Sequence, residues 1–265
     1  MMGECAGSGG LAARGFRWLR SWRGKRKRFL ALAVPSRPTR PLEPRVPPAD
    51  VLILTRTAGY RHASIPAGAA ALAELAAAHG LTAEATEDPA AFTADGLAGR
   101  ALVVLLSTTG TVLTPDGRTA LEAYLRDGGA LLAVHAAANA EPDWPFYGEL
   151  LGTRFAGHPP LQPGAVLAED PAHPAVAPLP PRWEWTDEWY EYTSHPRTDG
   201  VRVLLRADED AYEGGTLGAD HPLAWCRPVD RGRFLFTALG HTSEAYRDPL
   251  FRAHLSGALT WLLAR

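Results

Sequence analysis

Cysteine is nearly absent from this sequence. Its 265 residues include two cysteines, Cys5 and Cys226, and the first lies in an N-terminal segment of unusual composition. A structural disulfide is not expected, and two distant cysteines cannot build a cysteine-rich metal site. So few cysteines are typical of proteins that work in a reducing compartment, and we predict a cytoplasmic location.

Lysine is also scarce, because none follows Lys27. A Schiff base needs a lysine amine, so pyridoxal and related chemistry is excluded from the rest of the chain. The glycine patterns of phosphate-binding loops, dinucleotide-binding turns and serine-hydrolase elbows are missing as well. No apolar run approaches the ~18 residues that a membrane-spanning helix requires.

Charge is distributed unevenly along the chain. Residues 1–50 hold 11 of the 27 basic side chains and 3 of the 29 acidic ones, and prolines crowd the end of this segment. Residues 51–265 therefore contain 16 arginines and 26 acids, a net charge of −10, which argues against nucleic-acid binding by this part. We predict a disordered, basic and proline-rich segment at 1–50 and one folded domain at 51–265. The alternatives for the basic run are a secretory leader and a segment that binds an anionic membrane surface or nucleic acid.

The folded part begins with an alternation of strand and helix patterns. Short apolar runs of the buried-strand type alternate with stretches that repeat apolar residues every three to four positions. Such alternation implies right-handed crossovers and a parallel sheet. Strands are predicted at 51–55, 81–86, 102–106 and 130–134, and helices at 65–79 and 114–127.

The second half of the chain differs in composition and in periodicity. Residues 156–200 are rich in proline, tryptophan and acids and show little periodicity, which predicts a long functional loop or lid. Strand patterns return at 201–206, 222–226 and 233–237, and an amphipathic helix is predicted at 248–263. That helix is expected to cover one face of the sheet.

Three histidines follow predicted strands closely: His62, His135 and His241. Ligands of α/β folds bind beyond the carboxyl ends of the strands, so we expect these side chains to meet in one cleft. His135 stands where a nucleophile enzyme of this shape would carry serine or cysteine. Imidazole is a poor acyl-transfer nucleophile, but it can act as acid, base or metal ligand near neutral pH.

The segment 187–192 pairs acids with aromatic residues. Carboxylates can hold hydroxyls or abstract protons, and flat aromatic faces can cover the C–H face of a ring, so this segment predicts a sugar site. The alternative is a solvated loop whose aromatics point inward. Four histidines precede prolines, which fix an extended backbone, and we assign most of them a structural role. His158 is the exception, whereas His79 and His254 lie on predicted helices and are assigned no function.

Six sequence blocks stand in a specific order and spacing between residues 51 and 264. They are GYRHASI at 59–65, GALLAVHAA at 129–137, FAGHP at 155–159, DEWY at 187–190, HPLAW at 221–225 and GRFLFTALGHT at 232–242. Together they resemble the ThuA-like (trehalose-utilisation) family. Two features depart from the family pattern: the segment 1–50, and Ala138-Asn139-Ala140 where a more polar turn is expected.

The resemblance carries expectations for fold and function. It implies a class I glutamine amidotransferase-like fold, a flavodoxin-like three-layer α/β sandwich with a mostly parallel sheet. It also implies that the amidotransferase cysteine is absent, as His135 bears out, so glutamine amidotransferase activity is not expected. The family is linked to the catabolism of trehalose and related disaccharides, through 3-keto-sugar intermediates.

The leading prediction is an enzyme of carbohydrate catabolism. It would act on trehalose-type or 3-keto-glycoside sugars by acid–base elimination, hydrolysis or isomerisation. Catalytic roles are assigned to His135, Glu188 and His241, with Glu188 or His135 as the base. Substrate binding is assigned to five further side chains: Arg61, His62, Asp187, Tyr190 and His158.

Several alternatives stay open at this point. A divalent metal held by some of the histidines could stabilise an enolate, although no tight ligand spacing demands one. The chain could instead be a non-catalytic sugar-binding or regulatory module that has lost amidotransferase chemistry. It could also serve a sugar oxidoreductase as a partner subunit, and a homo-oligomer is left open. A small carbohydrate is the expected ligand.

Overall fold

The central feature of the fold is a nine-stranded sheet. Two further strands form a separate small sheet. A computed structural model describes residues 49–264; the predictions for residues 1–48 lie outside the described residues. The strands are β1 (Val51–Leu54), β2 (Ala83–Thr86), β3 (Leu102–Leu106), β4 (Ala130–Val134), β5 (Phe155–Gly157), β6 (Gln162–Ala168), β7 (Arg182–Asp187), β8 (Glu191–Tyr192), β9 (Arg202–Ala207), β10 (Pro222–Val229) and β11 (Gly232–Thr237). The α-helices are α1 (Ile65–Ala78), α2 (Ala94–Leu97), α3 (Pro115–Arg126), α4 (Pro145–Leu151) and α5 (Pro249–Leu263).

One half of the large sheet is parallel and has the flavodoxin-like strand order β2-β1-β3-β4-β11. Strands β1, β3 and β4 are buried along their whole length, as expected for a parallel sheet covered on both faces. Helix α1 packs on α5, and α2 on α3. Right-handed crossovers place these two pairs on opposite faces. The predicted three-layer α/β sandwich is confirmed.

The other half of the sheet corrects the prediction of a long loop at 156–200. This stretch contains β6 and β7, which extend the sheet through β10, β9, β6 and β7 with antiparallel pairings. Along β7, exposed and buried residues alternate, with Trp183, Trp185 and Asp187 facing inward. A period of two is the strand signature. Arg182 and Glu184, on the exposed face either side of Trp183, masked it in the sequence.

The helix ends link the fold to the loops at the carboxyl edge of the sheet. Thr114 and Asp248 cap α3 and α5 by accepting backbone N–H groups, as their sequence positions indicate. Ser64 precedes α1 but makes no side-chain cap; its hydroxyl instead donates to the Gly240 carbonyl. Among residues 49–264, no helix has both the length and the apolar character that crossing a bilayer requires.

Candidate active site

His135 occupies a strained turn at the end of β4. Its φ of 54° lies in the left-handed region, where side-chain-bearing residues are uncommon and cost free energy. A short 3-10 turn follows over His135–Asn139, with its alanines buried. The strand-to-turn shape that presents a nucleophile in related architectures is thus kept, and an imidazole stands on it.

One contact decides which tautomer a neutral His135 ring adopts. Its Nδ1 donates to the Ala238 carbonyl at 2.7 Å. Ala238 directly follows β11, which pairs with β4 in parallel, so the two strand exits meet side by side. Because Nδ1 carries the proton, the neutral ring presents an unprotonated Nε2 to the centre of the site.

Four polar side chains converge on that Nε2 atom. The Tyr190 hydroxyl lies at 2.9 Å, His62 Nε2 at 3.2 Å, His241 Nδ1 at 3.3 Å and Glu188 Oε2 at 3.4 Å. Glu188 Oε2 is also 3.1 Å from His241 Nδ1. The predicted meeting of the three strand-exit histidines with Glu188 is therefore confirmed, while the chemical role of each stays a prediction.

The carboxylate of Asp187 holds the two loops that carry Glu188 and His241. It is fully buried, and its two oxygens accept four protein donors. These are the backbone N–H groups of Glu188, Gly240 and His241 and the indole N–H of Trp185. No side of this carboxylate is free for a sugar hydroxyl, so we replace its predicted substrate-binding role by one of holding Glu188 and His241 in place.

His158 and Arg61 take different positions relative to the cluster. His158 Nε2 lies 3.4 Å from Glu188 Oε1, and its ring stacks on that of Tyr190, so it joins the rim of the site. The Arg61 guanidinium donates to the Thr55 carbonyl and pairs with Glu87. It is therefore not brought together with the converging side chains, because its donors are held by Thr55 after β1 and Glu87 after β2.

Burial and mutual contact set the charges in the cluster. Burial, together with His135 and His241, lowers the pKa of His62 from 6.5 to about 3. Burial alone would raise the pKa of Glu188, but its contacts with His135 and His241 outweigh this and lower it below its ordinary value. The hydrogen bond with Glu188 raises the pKa of His241. Burial, with Glu188, raises the pKa of Tyr190 far above its ordinary value, so its hydroxyl stays a proton donor.

The order of these elements and side chains agrees with one protein family. A sequence profile of the ThuA family, described as trehalose utilisation, matches residues 50–262. The chain belongs to the ThuA family. A comparison with curated protein sequences finds no significant match.

Solved structures agree with the fold of this ThuA family member. A ThuA-like protein from Bacteroides uniformis ATCC 8492 superposes with a TM-score of 0.69 at 22% identity, over 87% of this chain and 96% of that one. A ThuA-like protein from Parabacteroides merdae ATCC 43184 superposes with a TM-score of 0.66 at 20% identity, over 82% of this chain and 91% of that one. The β-galactosidase of Rahnella sp. R3 gives 0.54 at 15% identity, over 82% of this chain and 32% of its own. At such identities the likeness establishes the fold alone.

Two groups of side chains in this ThuA domain have metal-ligand geometry. In the first, donor atoms of His62, His135, Glu188 and His241 all lie within 4.8 Å of one another. The second group consists of Glu191, Glu209 and His221. Its donor atoms are engaged by the protein: Glu209 accepts from His221 and from the Leu217 N–H, and Glu191 accepts from Thr216. We therefore treat the first group as the candidate metal centre.

Two contributors were missed by reasoning from the sequence. Tyr60 is 69% exposed, and its ring meets that of His62 edge to face at 4.8 Å. Its place in the block GYRHASI was a usable signal, because a large aromatic beside a strand-exit histidine suits ligand contact. Glu141, fully buried, accepts the N–H groups of Val112 and Leu113 and pairs with Arg118. No sequence signal identified this second anchor.

A separate groove lies at the opposite edge of the sheet, near the starts of β3 and β4. Arg100, Tyr124 and Gly128 contribute to its lining. The Tyr124 hydroxyl donates to the Arg100 carbonyl and accepts the Ala130 N–H. None of the converging side chains borders this groove, and ligands of such sheets bind at the carboxyl edge. The cluster around His135 is therefore the candidate site.

Proposed function

We propose that this protein is an enzyme of carbohydrate catabolism that acts on a keto-glycoside of the trehalose type. The observation that carries the proposal is the convergence of His135, Glu188 and His241 at the carboxyl edge of the sheet, beside the exposed ring of Tyr60. Carboxylate and imidazole supply a base and an acid, and an exposed aromatic ring suits a sugar face. The family's link to trehalose utilisation supports the substrate class.

The geometry favours Glu188 over His135 as the base. The Glu188 side chain is 13% exposed, and one of its oxygens faces His158 at the rim. The His135 side chain has no exposed surface and is enclosed by Tyr190 and His62. His241, 20% exposed and bonded to Glu188, is the acid in this proposal, and Tyr190, whose hydroxyl lies 2.9 Å from His135 Nε2, holds that ring in place.

The proposed step is an elimination. In a 3-keto-glycoside the ketone acidifies the hydrogen on the adjacent carbon, and Glu188 takes that proton. The electron pair of the broken C–H bond forms an enolate, whose negative charge rests on the ketone oxygen. When the ketone re-forms, a double bond forms towards the anomeric carbon and the bond to the glycosidic oxygen breaks. His241 protonates the departing oxygen. No oxidant is consumed in this step.

Deuterium exchange tests the proposal directly. The protein is incubated in D2O with 3-ketotrehalose, and with trehalose as the matched non-keto control. We expect deuterium at the carbon beside the ketone in recovered 3-ketotrehalose, where the enolate has been reprotonated before elimination, and release of glucose; both should be absent with trehalose. Glu188→Gln should lower the rate by roughly 100-fold or more, whereas Glu184→Gln, on the exposed face of β7, should be unaffected. Absence of both exchange and cleavage across a panel of 3-keto-disaccharides would overturn the proposal.

A second candidate is a sugar-binding module without turnover. The full burial of His135 favours it, because a buried ring cannot touch a substrate without movement of its neighbours. Under this alternative, 3-ketotrehalose binds without exchange or cleavage, and binding survives in His135→Ala. Under the leading proposal, a small carbohydrate is the substrate, an oxidoreductase supplies its keto group, and the reaction takes place in the cytoplasm.

A further inference from the structure

We propose that His62, His135, His241 and Glu188 bind one divalent transition-metal ion. The ligand atoms are His62 Nε2, His135 Nε2, His241 Nδ1 and Glu188 Oε2. They come from the loop after β1, the end of β4, the loop after β11 and the residue after β7. Four separate segments of chain thus supply a set of three nitrogens and one oxygen.

The distances between these atoms match a metal coordination shell. Four separations are known: 3.2 Å between His62 and His135, 3.3 Å between His135 and His241, 3.4 Å between His135 and Glu188, and 3.1 Å between His241 and Glu188. A tetrahedral ion with bonds of about 2.0–2.1 Å holds its ligands about 3.3–3.4 Å apart. The two remaining separations are no greater than 4.8 Å, so a small movement of His62 would complete the tetrahedron.

Hydrogen bonds alone do not account for all four side chains that lie around His135 Nε2. The Nδ1 proton of His135 is used by the Ala238 carbonyl, so the neutral ring has one lone pair at Nε2. That lone pair can accept one good hydrogen bond, and Tyr190 supplies it at 2.9 Å. Glu188 Oε2 brings further lone pairs towards the same point, and His241 Nδ1, which donates to Glu188 when no ion is bound, would bring one on losing its proton. His62 Nδ1 is buried without a partner, so nothing on its far side fixes its tautomer. A shared cation that displaces the His241 proton would turn these contacts into bonds.

Contacts outside the ligand set resemble those that orient metal ligands. A ligating histidine usually donates its other ring N–H to a carbonyl or carboxylate, as His135 does to Ala238. Asp187 fixes the backbone at two ligands by accepting the N–H groups of Glu188 and His241. The ligands are thereby pre-positioned by buried groups, which lowers the entropic cost of binding an ion.

The donor chemistry selects the class of ion. Imidazole nitrogens suit zinc and its neighbours in the transition series, whereas magnesium and calcium prefer oxygen ligands. The proposal is therefore a zinc-type ion and not magnesium. Glu188 and His241 are partly exposed, so the ion faces solvent on their side and can accept oxygen atoms of a substrate there.

The role of the ion in catalysis rests on the proposed function, whereas its binding does not. In the elimination, the ion would bind the ketone oxygen and stabilise the enolate charge as a Lewis acid. Glu188 would hold the ion through Oε2 and keep Oε1, which faces His158, for the proton. As a ligand, His241 would give up the role of acid. Once His135 Nε2 binds the ion, the Tyr190 hydroxyl would be released from it, and Tyr190 and His158 would be the proton donors nearest to the substrate.

Metal analysis of the full chain without a histidine tag tests the binding. The protein is stripped with a chelator, incubated separately with Zn²⁺, Co²⁺ or Mg²⁺, and freed of excess metal by gel filtration. We expect about one Zn²⁺ or Co²⁺ per chain, an intense visible absorption for the Co²⁺ form, and no retained Mg²⁺. Zn²⁺ should also raise the thermal midpoint, because it binds the folded state.

Substitutions assign the ion to this site. His62→Ala and His241→Ala should each weaken Zn²⁺ binding at least roughly tenfold, and His195→Ala, a histidine outside the cluster, should bind as the parent does. His241 is partly exposed, so its variant serves as the test if His62→Ala fails to fold. Wild-type protein that retains less than roughly a tenth of an ion, or His241→Ala that binds as the parent does, overturns the proposal.

The two proposals fail in distinguishable ways. A protein that binds Zn²⁺ at this site but leaves every 3-keto-disaccharide unchanged contradicts the proposed reaction and supports the metal site. A protein that cleaves 3-ketotrehalose equally well before and after stripping, and binds no ion, contradicts the metal site and supports the reaction.

Discussion

The His135 ring donates its Nδ1 proton to the main-chain carbonyl of Ala238 at 2.7 Å. This bond joins the exits of two adjacent parallel strands, β4 and β11. In the neutral ring it leaves Nε2 as the nitrogen with the lone pair, at the point where His62, Glu188 and His241 converge. A single backbone acceptor therefore decides which atom of His135 the site can use.

His135→Asn should be less destabilising than His135→Ala. The asparagine amide can still donate to Ala238, and asparagine tolerates the φ of 54° better than alanine. Alanine would leave a buried carbonyl without a partner, at a cost of about 1–3 kcal/mol. Urea denaturation of both variants measures the difference, and both should lose Zn²⁺ binding because both lack Nε2. Equal stabilities would contradict the importance of the Ala238 contact.

Asp187→Asn should destabilise the protein and disturb the site together. Asp187 accepts four N–H groups, and an amide nitrogen in place of one oxygen would face donors with a donor. Each buried donor left without a partner costs about 1–3 kcal/mol. Urea denaturation checks the stability, with Glu184→Gln on the exposed face of the same strand as the control. A free energy of unfolding unchanged from the parent would show that Asp187 does not hold these loops.

Tyr60→Ala should weaken carbohydrate binding without lowering stability. Tyr60 is 69% exposed, so its removal costs little packing, while a lost aromatic contact is worth about 0.5–1.5 kcal/mol, or up to roughly tenfold in affinity. Calorimetric titration with 3-ketotrehalose, in the Glu188→Gln background so that the sugar is not consumed, compares the parent, Tyr60→Ala and Tyr60→Phe, and the phenylalanine variant should bind nearly as the parent does. Leu161→Ala removes a second exposed apolar side chain, 46% exposed, and serves as the control. Equal affinity in all four proteins would separate Tyr60 from the ligand.

His254 should make the fold sensitive to acid. The ring is fully buried on α5 and donates to the Ala175 carbonyl, and burial lowers its pKa from 6.5 to about 4. The unfolded chain therefore binds a proton below pH 6.5 that the folded protein refuses. Stability from this group is complete above pH 6.5 and declines as pH falls towards 4, by up to about 3 kcal/mol.

His254→Asn isolates that effect. Asparagine can still donate to Ala175 but does not titrate, so the variant should show a shallower fall of the free energy of unfolding between pH 6.5 and 4. The measurement is urea denaturation at several pH values. Parallel curves for parent and variant would assign the acid sensitivity to other groups, among which His173, with a pKa that burial also lowers to about 4, is the next to test.

Much of the parallel half of the fold could be predicted from local patterns. The apolar runs that became β1, β3 and β4 are continuous because both faces of those strands are covered. The cap at Thr114 and the closing helix were predictable for the same kind of reason, since capping and amphipathicity act within a few residues. Strands β6 and β7 were not, because Gln162, Pro163 and Gly164 open β6 without an apolar run, and Arg182 and Glu184 interrupt the apolar pattern of β7.

The candidate site, too, could be predicted from the sequence only in part. Three histidines at strand exits predicted a common cleft, because parallel strands bring their carboxyl ends to one edge. The sequence could not assign Asp187 to the loops rather than to a ligand, nor turn Arg61 towards Thr55 and Glu87. Those outcomes depend on which donors lie within hydrogen-bonding distance, and that is set by how distant segments pack.

The sequence by itself determined the order of strands and helices in the parallel half of the sheet, the residues that end those strands, and the absence of a nucleophile at position 135. Only the tertiary structure decided that His62, His135, Glu188 and His241 share one point within a few ångströms, and that His135 Nδ1 bonds the Ala238 carbonyl while Nε2 faces the cluster. The reason is physical. Local patterns set backbone conformation, but donor–acceptor distances across β4, β7 and β11 depend on packing between segments about 50 or more residues apart in the chain.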